Sequence, residues 1–245
     1  MTITLILIGI FIGTMSGFFG IGGGMILIPI LVVLGFDIKV AIGISIIQMV
    51  FSSLFGSYLN HKKGSLIIKE GLYIGLGGFL GGFLGAYLTA YIPTLVLQIL
   101  FICLLLFASF RLWFSNPNIN EVLTKTYDKR FLFTLGTFIG IFSMALGIGG
   151  SIILTPLLVG FLHYPLKKAI SAGLFFVVFS SIAGLLSRLS TGSIDYENGL
   201  IVATASLLGV AMGIYFKNHI NTKHHKTMLL LFYLFSLSLV IKEIL

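Results

Sequence analysis

Residues 20–31 read GIGGGMILIPIL, and residues 147–158 read GIGGSIILTPLL. The two stretches are identical at eight of twelve positions, and each places a cluster of glycines ahead of an apolar segment that contains a proline. Because glycine disfavours the interior of a helix, each cluster predicts a break followed by a new helix. The pair therefore indicates that the chain contains two copies of one unit.

Both clusters lie inside long uncharged runs, at residues 2–36 and 131–166. The 245-residue chain is 58% hydrophobic and only 9% charged, whereas soluble domains carry about 25% charged residues. A membrane-spanning helix needs roughly 20 predominantly apolar residues, and several stretches meet that requirement. We therefore expect an all-α polytopic membrane protein.

Charged residues divide the chain into two repeats, expected at 1–114 and 131–245, with a polar linker at 115–130. The similarity of the repeats extends well beyond the glycine clusters, since Ser52 pairs with Ser180 and Gly81 pairs with Gly209. The expected elements are a hairpin at 2–36, helices at 40–60, 66–90 and 94–112, a second hairpin at 131–163, and helices at 167–189, 196–216 and 227–243. Each repeat is thus a glycine-broken hairpin followed by three transmembrane helices.

The positions of Lys and Arg decide between two topologies. If runs 2–36 and 131–166 each cross the bilayer once, the basic residues divide nine against six; if each run is a hairpin, they divide twelve against three. The hairpin topology fits the excess of basic residues expected on the cytoplasmic side. An odd number of crossings per unit makes the two repeats inverted, as in many transporters.

The topology also predicts the orientation of the chain in the membrane, with linker 115–130 in the cytoplasm. The net charge of +8 is then a signal of topology, and we expect no nucleic-acid partner. The expected partners are the lipid bilayer and a small anionic substrate, and homo-oligomerisation stays open.

The glycine clusters carry the expected chemistry. The start of a helix has free N–H groups and a partial positive charge, so two helix starts near the membrane centre would bind an anion. Close packing of helices is the alternative reading of the glycines. The candidate residues are Gly20, Gly22, Gly23, Gly24, Gly147, Gly149, Gly150 and Ser151, with Pro29 and Pro156 as helix-break or packing positions.

Polar residues inside the following apolar run supply further candidates. In the first repeat these are Ser45, Gln48 and Ser52. In the second repeat Ser180 matches Ser52, Gly173 occupies the Ser45 position and is kept as a candidate, and Phe176 replaces the glutamine. They would line the substrate path, unless the serines only bond to their own helix. Another set recurs every fourth residue and predicts helix packing: Gly81, Gly85, Gly209 and Gly213.

Charged side chains are expected to stay outside the apolar runs, which argues against a cation pump. We expect Asn60 at the cytoplasmic edge of its helix, and His219, His224 and His225 in a solvated basic loop rather than at a metal site. The sequence shows no catalytic dyad or metal motif, so we predict no enzyme activity, no metal and no cofactor.

These motifs resemble the sulfite exporter TauE/SafE family of membrane permeases. The resemblance covers nearly the whole chain. Its motifs are G-x-G-G-G-x(4)-P at 20–29, A-x-G-x-S at 41–45, S-S-x-x-G at 52–56, K-x-G-S at 62–65, G-x-G-G-S-x(4)-P at 147–156, S-S-x-x-G at 180–184 and G-S-I-D at 192–195. The second copy departs from the pattern at 169–173, where it reads AISAG.

The resemblance implies transport of sulfite, sulfonates or related sulfur compounds across the bacterial cytoplasmic membrane. Together with the glycine clusters, it predicts an anion permease that works by alternating access. An anion channel and a non-transporting membrane assembly subunit are the competing interpretations.

Overall fold

A computed structural model of the protein describes residues 1–66, 68–88, 93–114, 127–145, 147–189 and 195–244. These residues form ten α-helices and no strand. The helices are α1 (Thr2–Phe19), α2 (Gly24–Val33), α3 (Ile38–Lys62), α4 (Ile68–Leu88), α5 (Thr94–Phe114), α6 (Lys129–Ala145), α7 (Ser151–Gly160), α8 (Leu166–Leu189), α9 (Tyr196–His219) and α10 (Thr222–Ile244). The predicted all-α class is confirmed for the described part of the chain.

Four of these helices are long and apolar enough to cross a bilayer, namely α1, α3, α8 and α9. The two helices that follow the glycine clusters, α2 and α7, are short at 10 residues each. Of the four long helices, α3 and α8 are the most buried. The protein is therefore an integral membrane protein whose centre is built around α3 and α8.

Several helices run further than the uncharged stretches of the sequence. Helix α3 continues to Lys62, α9 continues to His219, and α10 begins at Thr222. Lysine has a good helix propensity, so a lysine beside an apolar run extends the helix instead of ending it. Most of the predicted linker, residues 115–126, lies outside the described residues, as do Tyr91, Gly192 and Ser193.

Helices of each half of the chain pack mainly against helices of the other half. The most extensive helix contacts join α1 to α9 and α4 to α6. Thus the first helix of each half packs against the last but one helix of the other half, and α3 contacts α8 between them. The same pairing occurs twice, which places both glycine clusters in the middle of the molecule.

Small residues make these pairings possible. A Cβ atom built on Gly81 or Gly85 would collide with the backbone carbonyl of Thr137 or Ile141 on α6. A Cβ atom on Gly209 or Gly213 would collide in the same way with the backbone of α1. The backbones therefore touch directly, which is the geometry that small residues allow in membrane helices.

Candidate functional site

Each glycine cluster separates two helices. In the first glycine segment, residues 20–24, the backbone φ angle is +93° at Gly23, directly before α2. In the second glycine segment, residues 147–151, φ is +80° at Gly150, directly before α7. Positive φ is costly for residues with a Cβ atom, so glycine is required at both positions. The sequence therefore breaks the chain at the same place in each half.

Both short helices start without a cap. The carbonyl oxygen of Gly23 accepts the N–H of Leu27 at 3.1 Å, and that of Gly150 accepts the N–H of Leu154 at 3.1 Å. The same two carbonyl oxygens also accept the N–H groups of Ile26 at 3.3 Å and Ile153 at 3.2 Å. Only the first two N–H groups of each helix precede these bonds and have no acceptor within the helix. No side chain caps either helix start, and the first residues of both helices are buried. Each start is thus a buried positive helix end without a negative partner.

The two glycine segments meet. A Cβ atom built on Gly24 would lie 3.1 Å from the carbonyl oxygen of Gly147. Gly22 and Gly149 pack against the same two side chains, Met49 of α3 and Val177 of α8. The tertiary structure therefore brings together the two clusters that lie more than a hundred residues apart in sequence.

Equivalent serines hold the two segments in place. The Ser52 hydroxyl donates to the carbonyl oxygen of Gly22 at 3.4 Å, and the Ser180 hydroxyl donates to that of Gly149 at 3.0 Å. Each serine also bonds within its own helix, at 3.3 Å to Met49 and 3.4 Å to Val177. Both hydroxyls donate to backbone carbonyls, so they tie α3 and α8 to the glycine segments.

Gln48 lies against the start of α2. A Cβ atom on Gly23 would be 2.8 Å from Oε1 and 3.2 Å from Nε2 of this glutamine. The side chain is fully buried, and neither amide atom has a hydrogen-bond partner among the described residues. The Ser45 hydroxyl is also unpartnered and would lie 2.9 Å from a Cβ atom on Gly24. Unpaired buried polar groups are costly, so these two side chains indicate a place for a polar ligand.

The second half presents a different polar surface. Phe176 stands where the first half has Gln48, and its ring lies 2.6 Å from a Cβ position on Gly150. On α7 the buried hydroxyls of Ser151 and Thr155 lack partners within the described structure. Gly173 leaves room for them, since its Cβ atom would be 2.9 Å from Thr155 Oγ1. The sequence analysis missed Thr155, although a threonine directly before a proline in an apolar segment was a visible signal.

Neither proline breaks its helix. Pro29 lies inside α2 and Pro156 inside α7, so the chain breaks at the glycines instead. A proline has no N–H, and Pro156 therefore leaves the carbonyl oxygen of Ile152 without its helical donor. The hydroxyl of Tyr233 donates to that oxygen at 3.0 Å. Helix α10 thus completes the hydrogen bonding of α7, a role for Tyr233 that the sequence did not indicate.

The site is closed in this conformation. A cleft beside Gly23, lined also by Met15, Ser16 and Phe232, is too narrow for a water molecule. A larger groove of about 230 Å³ lies elsewhere, between α5, α6 and α7, and is lined by aromatic and aliphatic side chains and by Arg111. Access to the glycine segments therefore requires the surrounding helices to move.

The family model of the sulfite exporter TauE/SafE family matches residues 5–240, nearly the entire chain. The chain belongs to the TauE/SafE family. It is 27% identical over 243 residues to the probable membrane transporter protein MJ0441 of Methanocaldococcus jannaschii, covering 92% of this chain and 90% of that protein. It is also 27% identical over 221 residues to the probable membrane transporter protein YdhB of Bacillus subtilis, covering 87% and 89%.

A third relative is a probable membrane transporter protein of Haemophilus influenzae, 25% identical over 224 residues, with 86% of this chain and 84% of that protein covered. No solved structure gives a significant match. The predicted family is confirmed, and with it the general class: the relatives are named as membrane transporters rather than as enzymes.

Two sequence predictions about this TauE/SafE protein are wrong. Lys217 is fully buried rather than outside the apolar helices, and His225 is fully buried rather than in a solvated loop. Asn60 lies two residues before the end of α3 and is fully buried. The Nε2 atom of His225 lies 3.0 Å from the carbonyl oxygen of Phe18. These two errors have one cause: α9 ends and α10 begins within the basic stretch, so side chains of that stretch pack against other helices.

One feature of the sequence indicates that Lys217 is buried. Gly209, Gly213 and Lys217 are spaced four residues apart, so they share one face of α9. The two glycines contact the backbone of α1, and this face therefore points into the protein. A lysine on the same stripe was predictable as a buried residue.

Proposed function

We propose that this TauE/SafE protein carries a small anion through the membrane, with sulfite, an organosulfonate or a related sulfur compound as the substrate. The observation that carries the proposal is the meeting of two glycine segments, each leading into a buried, uncapped helix start, beside the unpartnered amide of Gln48. Such helix starts attract anions, and the described side chains around them include no carboxylate that would repel one.

The substrate class rests on the family name and on chemistry. A sulfite or sulfonate group carries several acceptor oxygens, which match the free N–H groups of the two helix starts and the Gln48 amide. The relatives named above are described only as transporters, so the family description alone points to sulfur compounds.

The transport mechanism we propose is alternating access between two inverted repeats. Support comes from the reciprocal pairing of α1 with α9 and of α4 with α6, and from the equivalent bonds of Ser52 and Ser180. The closed cleft at Gly23 fits an occluded state of such a cycle. One half would rock against the other and open the glycine segments to each side in turn.

Transport by purified protein in liposomes tests the proposal. We expect labelled sulfite or a simple sulfonate such as ethanesulfonate to accumulate when unlabelled anion is trapped inside, because a carrier exchanges one substrate for another. Currents far above about 10³ ions per second for each protein would indicate a channel instead, since a conformational cycle that takes a millisecond or longer cannot exceed that rate. Absence of both exchange and current for these anions would favour the assembly-subunit alternative.

A further inference from the structure

A buried lysine lies at one end of the molecule. Lys217, near the end of α9, has no exposed surface. Its Nζ donates to Asn60 Oδ1 of α3 at 2.6 Å and to Ser171 Oγ of α8 at 2.8 Å. The Ser171 hydroxyl lies 3.1 Å from that of Ser65. We call Asn60, Ser65, Ser171 and Lys217 the Lys217 cluster.

The cluster has no negative charge to balance the ammonium group. Both side chains that accept from Lys217 are neutral, and no carboxylate of the described residues pairs with it. Two further lysines, Lys63 and Lys167, add positive charge in its surroundings. A buried charge is costly unless it is paired with an opposite charge. An anion beside Nζ would therefore remove this cost.

A second observation indicates the same ligand. The Asn60 side chain is fully buried, and its Nδ2 donor has no partner among the described residues. Its Oδ1 is already used by Lys217, so the amide orientation is fixed by that bond. A free N–H beside an ammonium group without a counter-charge can donate, together with that ammonium group, to the oxygen atoms of an anion.

We propose that the Lys217 cluster is a second anion-binding station, which takes a small oxyanion such as sulfite or a sulfonate. This proposal takes only its class of ligand, a sulfur oxyanion, from the proposed function. Asn60 and Gln48 are separated along α3 by about 18 Å, the rise of twelve helical residues, so this station is separate from Gln48. The ligand enters when the ends of α3, α8 and α9 separate, and it then replaces neutral oxygens beside Nζ.

The test is anion-dependent thermal stability of the purified protein, because a ligand that binds the folded state raises its melting temperature. Sodium sulfite is titrated against sodium gluconate at equal ionic strength. The measurement uses the Gln48→Leu variant, in which the central site is weakened, at sulfite concentrations too low to fill that weakened site. We expect sulfite to raise the Tm of this variant, and the rise to disappear when Lys217→Met is added.

Three further variants make the result specific. Lys62→Met removes an exposed lysine from the end of α3 and should leave the sulfite effect intact. Lys217→Arg keeps the charge and should retain most of the effect. Asn60→Asp supplies an internal carboxylate to Lys217, so it should weaken the apparent affinity for sulfite by roughly tenfold or more, the loss of one charge-assisted interaction, while keeping the fold.

The outcomes separate the two proposals. A sulfite effect that survives Lys217→Met or is unchanged by Asn60→Asp overturns the second station, as does a complete loss of the effect in Gln48→Leu alone. The proposed function is judged by transport instead: normal exchange by Gln48→Leu would contradict the central site and leave the Lys217 result standing. Asn60→Asp keeps the station testable if Lys217→Met does not fold.

Discussion

At the scale of single residues, the polar side chains of α3 divide into two classes. Ser52 and Ser53 bond to nearby carbonyls, whereas Ser45 and Gln48 are buried without partners in the described structure. A folded protein retains such unpaired groups at a cost in stability of about 1–3 kcal/mol each. Gln48 is the clearest case, because it touches the positive start of α2. A ligand that completes the hydrogen bonding of the Gln48 amide would remove this cost in stability.

Replacing Gln48 by leucine should therefore separate stability from function. We expect Gln48→Leu to melt at a higher temperature than the wild type, since an unpaired buried amide is removed. Anion exchange in liposomes should fall about tenfold or more, the effect of losing a hydrogen bond to a charged group. Ser53→Ala is the matched control, because the Ser53 hydroxyl bonds only to Val50 of its own helix. Exchange at the wild-type rate by Gln48→Leu would contradict the role of this amide.

At the scale of helices, the glycine ridges decide which elements pair. Gly81 meets the backbone of α6, and Gly209 meets the backbone of α1. The spacing of these glycines was visible in the sequence, and a packing role followed from it. The sequence did not identify the partner helix, because a helix face lined with small residues can pack closely against any helix of matching surface shape.

A single methyl group should disrupt these pairings. Alanine at Gly81 or Gly209 places its Cβ atom against backbone that cannot move aside, so we expect destabilisation of about 1–3 kcal/mol, as in overpacked cores. Gly160→Ala is the matched control, because its Cβ atom would first meet the Arg111 side chain at 3.3 Å. The control should be neutral or slightly stabilised by the better helix propensity of alanine. Equal melting temperatures for all three variants would contradict direct backbone contact.

At the scale of the whole molecule, the question is whether each glycine-broken run returns to the side from which it entered. The break itself is present, since α1 ends at Phe19 and α2 starts at Gly24. The hairpin topology puts Thr2 and Lys39 on one side of the membrane, whereas a run that crosses once puts them on opposite sides. Both side chains are exposed, so chemical labelling distinguishes the topologies.

Cysteine accessibility in intact cells is the measurement. Cys103 is the single cysteine of the chain, so Cys103→Ser gives a background without thiols. We expect a membrane-impermeant maleimide added from outside to label Thr2→Cys and Lys39→Cys. It should leave Lys62→Cys, at the other end of α3, unlabelled until the membrane is permeabilised. Opposite accessibility of the Thr2→Cys and Lys39→Cys variants would contradict the hairpin and, with it, the inverted repeats.

The sequence by itself determined the membrane environment, the helical class, the family and the duplicated glycine segments. Each of these depends on local composition or on a repeated pattern, and hydropathy and glycine act locally on the backbone. It also identified Gln48 and Ser45, because polar residues stand out in an apolar run. The family model and the described helices agree with these predictions.

Only the tertiary structure decided which groups face each other. It placed Gly24 beside Gly147, supplied Tyr233 to the carbonyl that Pro156 leaves free, and buried Lys217 between Asn60 and Ser171. These contacts join residues far apart in the chain, so no local pattern identifies the partners, even where the spacing of Gly209, Gly213 and Lys217 indicates which face of α9 is buried. The physical reason is that charged residues at the end of an apolar run look solvated in sequence, while packing of neighbouring helices determines whether water reaches them.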